Sequence, residues 1–194
     1  MNALAIKPTI DTLTSLRGRE YGAYLTEARF ELVRMMRNPS VAIPVLLLPC
    51  AFYALFAYVI AGGWIKNDPG AGVFLYTAFS LMAVTMPAMF GIGVTLALER
   101  DMGLLRLKRA QPAPPAAWVV AKILAGLVLA LLAYAPIVIL AIAGGKLTLS
   151  AAQLLGLSAA LMIGTIPFTA LGLMVGSLAT GSSAPAFANL IYLP

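Results

Sequence analysis

Four apolar runs constrain this chain more than any other feature. A hydrocarbon core of about 30 Å needs roughly 20 helical residues at 1.5 Å each. Residues 41–62, 73–98, 116–143 and 150–179 all reach that length, and Lys122 is the one acid or base among them. The composition agrees: 61% of residues are hydrophobic and 10% charged, against about 25% charged in a soluble domain. So little charge cannot cover a globule in water, and the solvent must be lipid. The expectation is an all-α polytopic membrane protein with four complete transmembrane helices.

The flanking segments complete the plan. Residues 1–20 read as a polar, irregular tail without the apolar core of a secretory signal. Residues 21–37 predict an amphipathic helix. Tyr21, Tyr24, Leu25, Ala28, Leu32, Met35 and Met36 share one arc, and Glu27, Arg29, Glu31, Arg34 and Arg37 lie outside it. That pattern suits a helix in the membrane interface, with Tyr24, Arg34 and Arg37 as anchors. Asn38-Pro39 ends it. Ser150 and Gln153 form a capping box for the fourth span. Ser183 is a candidate cap for a fifth helix with Pro185 in its first turn. The sequence stops at Pro194, about half a span later, so the expectation is a chain cut short. Lys and Arg fix the orientation. Six precede residue 38 and five lie in 100–122, while the opposite loops hold only Lys66 and Lys146. The positive-inside rule puts the N-terminus and residues 100–122 in the cytoplasm; the expected location is the plasma (inner) membrane.

The chemistry available is narrow. There is no histidine, and all seven acids (Asp11, Glu20, Glu27, Glu31, Asp68, Glu99 and Asp101) fall outside the expected spans. That leaves no membrane-embedded proton relay, no base to activate a serine and no metal ligand set. No residue is assigned a catalytic, cofactor-binding or metal role. The net charge of +6 is accounted for by loops facing an anionic leaflet rather than by nucleic acid. Prolines 44, 49, 87, 136 and 167 interrupt the spans and allow kinks. Phe52, Tyr53 and Phe56 give the first span an aromatic side, either lining a path for a bulky lipophilic substrate or packing against protein and lipid.

The remaining distinctive stretch is a charged island between the second and third spans. Glu99-Arg100-Asp101 closes the second span. Gly103 permits a turn, Arg106 and Arg109 share a face of a short helix, and Pro112, Pro114 and Pro115 end it. Trp118 and Lys122 mark the interface where the third span enters. As composition alone this is a basic anchor loop. The order Glu99-Arg100, Gly103-Leu104-Leu105, Arg106 to Arg109, Pro112 and Lys122 nevertheless resembles the pattern of the ABC-2 type permeases, the membrane subunits of ATP-binding cassette exporters. It departs from that pattern at Leu104 and Lys108.

The resemblance implies a six-span subunit with a cytoplasmic tail at 1–20, a connecting helix at 21–38 and a transmembrane domain at 39–194. Residues 99–117 would be its cytoplasmic coupling loop. Glu99, Arg100, Gly103, Arg106 and Arg109 would couple this loop to a separate nucleotide-binding ATPase subunit, which would hold ATP and Mg. A second permease subunit would complete the path, as a homodimer in preference to a heterodimer, within membrane lipid. The substrate would be drug-like or lipophilic, or a glycan. An ion-coupled carrier or a non-transporting membrane scaffold is the alternative.

Overall fold

The computed structural model describes residues 10–61, 68–105, 115–145 and 147–192. Among the described residues the fold is all-α. An N-terminal helix α1 (Ile10–Met36) precedes four helices long and apolar enough to cross a membrane: α2 (Pro39–Ile60), α3 (Gly70–Asp101), α4 (Ala117–Ala143) and α5 (Ala151–Leu178). A short α6 (Ala184–Tyr192) follows. Each spanning helix begins or ends within a few residues of the limits read from hydropathy. The helix α1 starts at Ile10, well before the expected Tyr21, and so takes in half of the stretch read as irregular.

Local signals set the helix ends. Pro39 opens α2 directly after Asn38, whose backbone is extended. Asp68 caps α3 by accepting from Gly70 N–H at 2.8 Å. At α5 the capping box forms: Gln153 N–H donates to Ser150 Oγ at 3.3 Å, and Ser150 N–H donates to Gln153 Oε1 at 2.9 Å. Ser183 ends up one residue before α6, but its hydroxyl turns back to Thr180 Oγ1, 2.8 Å away.

Two spans widen into π-helical turns, at Leu55–Ile60 and Pro87–Val94. In the first, Ala61 N–H reaches Phe56 O, five residues back, at 2.8 Å. In the second, Pro87 brings no N–H to the ladder, and the helix relaxes into the wider turn that follows.

The central helix is α3. It is 72% buried over its most apolar stretch, against 22% for α2 and 17% for α5, so these two leave broad apolar faces outward. In one half of the bundle α3 packs through aromatic rings. Tyr53 is fully buried and meets Tyr76 edge-on, with ring centroids 6.5 Å apart. Tyr76 and Tyr134 join hydroxyls, and Tyr134 continues to Ser158 at 2.7 Å. In the other half it meets α5 through glycine. A Cβ on Gly93 would stand 2.7 Å from Gly172 O, so only hydrogen allows this approach. Gly176 likewise lies against Gly93 O.

Candidate functional site

The charges that hydropathy left scattered converge at the island end of the bundle. The helix α1 lies along α4, and its rotation is fixed by Met35, buried in a cluster with Ile92 and Leu129. Glu31 is one turn earlier on the same face, and Glu99 approaches from the last turn of α3. Lys122, in the second turn of α4, meets both. Its Nζ donates to Glu31 Oε1, and to Glu99 Oε1 at 3.1 Å. Arg34 Nη2 donates to the same Glu99 oxygen, and Arg34 Nη1 is 3.7 Å from Glu31 Oε2.

Burial gives this arrangement its weight. The Lys122 side chain is 0% exposed, Glu31 2% and Glu99 1%, while Arg34 keeps 41%. Two cations face two carboxylates, so the cluster is formally neutral. Buried charges are tolerated only when paired in this way. Partial burial opposes the charge on Arg34, but its hydrogen bond to Glu99 and the nearby carboxylates of Glu99, Glu31 and Glu27 outweigh that and hold its pKa above the ordinary value. Lys122 also lies over the Trp118 ring, 5.3 Å from the centroid. Among the described residues, Glu99 Oε2 and Trp118 Nε1 have no hydrogen-bond partner.

The structure redistributes the residues singled out in the sequence. Glu99, expected to face a partner, points into the bundle because two cations wait there. Lys122, expected at the headgroups as an anchor, is an interior residue with two carboxylate partners. Glu31, placed on the polar face of α1, turns inward for the same reason. The limit at Leu98 also moves: α3 continues to Asp101, which brings Glu99 and Asp101 into the spanning helix. Arg34 joins the cluster, Arg37 stays exposed and Tyr24 is half-buried. Gly103 adopts φ +74° at the end of α3, a left-handed turn that favours glycine. Arg106 and Arg109 lie outside the described residues. Of the aromatic side of α2, Tyr53 is core, packed on Tyr76 and Phe79. It therefore has no surface to offer a path. Phe52 and Phe56 retain exposed surface.

Sequence reasoning missed the cluster as a unit, although one signal was present. A lysine inside an apolar run requires a partner, and the carboxylates near the span ends were the candidates. Chemically the cluster holds rather than reacts. It ties α1, the end of α3 and the start of α4 together by charge-assisted bonds.

These features define a multi-pass, all-α membrane protein whose described charges are gathered mainly at one end of the bundle. The ABC-2 type transporter family model matches residues 23–194, and the chain belongs to that family. It is similar to the protein named "Putative transport permease YvfS" of Bacillus subtilis (strain 168), with 24% identity over 168 residues. That alignment takes in 84% of this chain and 66% of the relative, so the chain spans just under two thirds of the relative's length. No solved structure matches.

Proposed function

We propose that this chain is the permease subunit of an ATP-driven exporter, with its N-terminus and charged island on the cytoplasmic side of the inner membrane. A separate ATPase subunit holds ATP and Mg and docks on the island. A second copy of the permease completes the path, and the outward apolar faces of α2 and α5 suit such a neighbour or lipid. The substrate is a lipophilic or drug-like compound, or a glycan. Family membership supports this reading.

The observation that carries it is the cluster of Glu31, Arg34, Glu99 and Lys122. It joins the two helices flanking the island to each other and to α1. A push on the island therefore moves α3 and α4 as one lever, with α1 riding on them. Arg106 and Arg109 are the residues assigned to the docking contact, because Glu99 is spent inside the bundle.

The test is purification of the chain from its native membrane, identification of any co-purifying ATPase subunit, and reconstitution of the two together. Arg106→Gln with Arg109→Gln is expected to leave the permease inserted while lowering transport per ATP hydrolysed at least tenfold. Full transport by this variant, or transport by the permease without any ATPase, would overturn the proposal.

A further inference from the structure

Three consecutive charged residues at the end of α3 serve two sets of neighbours, because successive side chains on a helix are about 100° apart. Glu99 faces α1 and α4. Arg100 and Asp101 face the turn between α5 and α6. Arg100 Nη1 donates to Ser177 O, one of the last carbonyls of α5, which no N–H of the same helix can reach. Gly181 N–H, in the turn itself, donates to Asp101 Oδ2 at 2.6 Å. Gly181 is buried, and a Cβ there would stand 2.8 Å from Leu98 Cδ2 and 3.1 Å from Asp101 Oδ2. The turn is thus seated on the α3 terminus by a cation on a helix end and a carboxylate on a backbone amide.

Behind this contact the helices are already locked. The glycine seam sets Gly172 and Gly176 of α5 against the π-helical turn of α3. Ala184 and Ala188 of α6 are buried with Met89, Ala97 and Val175. The half of α3 nearest the island, α5 and α6 therefore form one block, closed at its end by Arg100 and Asp101.

We propose that Arg100 and Asp101 are positioning residues that clasp the α5–α6 turn and deliver displacement of the island to α5 and α6. Without them the push would reach α5 and α6 only through the apolar packing of the block, and the α5–α6 turn would lag behind the α3 terminus. The transmission rests on the ATP-driven reading above; the clasp itself does not.

The test uses the full chain in nanodiscs and has two arms. The first needs no ATPase: hydrogen exchange of the peptide spanning residues 179–184. Asp101→Ala is expected to speed exchange at Gly181 about tenfold, the loss of one charge-assisted hydrogen bond. Asp101→Asn, whose side-chain oxygen still accepts, stays within about twofold. Unchanged exchange in Asp101→Ala overturns the clasp, whatever drives the protein. The second arm measures transport per ATP hydrolysed in the reconstituted complex. Asp101→Ala is expected to lower it severalfold and Asp101→Asn to restore it. Faster exchange with wild-type coupling in Asp101→Ala overturns the transmission and leaves the exporter reading intact. Transport without an ATPase overturns both the exporter reading and the transmission, and the first arm still decides the clasp.

Discussion

Replacing Lys122 by methionine tests the buried cluster most directly. The ammonium is fully buried and lies 3.1 Å from Glu99 Oε1 with Glu31 Oε1 also bonded to it. At an effective dielectric constant of about 20, one such contact is worth about 5 kcal/mol before desolvation. Methionine fills much of the same volume but leaves two buried carboxylates with only Arg34 to compensate them. Breaking one partner of a buried ion pair costs about 3–5 kcal/mol, which corresponds to a fall in melting temperature on the order of 10 °C for a chain of this size. The assay is thermal unfolding in a fixed detergent or nanodisc. Glu31→Gln alone should cost less, because Lys122 keeps Glu99. In the double variant much of the Lys122→Met penalty should vanish, since the uncompensated charge goes with Glu31. A Lys122→Met cost below about 1 kcal/mol, or costs that add to within about 0.5 kcal/mol, would refute the argument that these residues form one electrostatic unit.

Substitutions at three glycines separate close packing from backbone conformation. Gly93→Ala would bring a methyl group to 2.7 Å from Gly172 O and should cost about 1–3 kcal/mol. Gly156→Ala, with nothing within 4 Å, should stay within about 0.5 kcal/mol or stabilise slightly; melting temperatures of the pair check this. Gly103 also has open space around it but carries φ +74°, so Gly103→Ala should cost about 1 kcal/mol through the backbone alone. Gly103→Asn, which tolerates the left-handed region better, should recover part of that in the same measurement.

What the sequence disclosed followed the range of the interaction concerned. Spans are local: twenty apolar residues in a row declare themselves, and α2 to α5 fall close to the expected limits. Caps are more local still, and Ser150 with Gln153 was legible from two letters. Proline signalled irregularity at Pro87, but not that the helix would widen over Pro87–Val94 to meet two glycines of α5. The cluster is the opposite case. Lys122 is 91 residues from Glu31, and Arg34 is 65 from Glu99. A pattern that counts apolar faces assigns Glu31 to solvent, because nothing within one helix announces a buried cation on another. Electrostatic pairing then overrides amphipathicity, turning Glu31 inward while Leu25 stays 68% exposed. The early start of α1 is a milder miss, since Arg17 and Glu20 interrupt the arc shared by Ile10, Leu13 and Leu16 and hide its period.

The distribution of acid gives the island its character. All seven acidic residues lie at or before Asp101. Glu31 and Glu99 are paired with Arg34 and Lys122, and Asp101 accepts from the Gly181 amide. Residues 102–194 contain no acidic side chain to neutralise Arg106, Lys108 and Arg109. These bonds commit Glu31, Glu99 and Asp101 to partners within the bundle, so these three carboxylates do not offset the positive charge of Arg106, Lys108 and Arg109. On the reading proposed above, this sets the chemistry of the dock: the ATPase groove must supply carboxylates. Association between the two should then weaken as salt is raised, since exposed charges are screened over about 10 Å at 0.1 M and about 3 Å at 1 M. The contacts of Lys122 with Glu31 and Glu99, shielded from solvent, should keep the permease folded over the same range. A complex that survives high salt, or a permease that unfolds before the complex parts, would refute this order and place the decisive charges elsewhere.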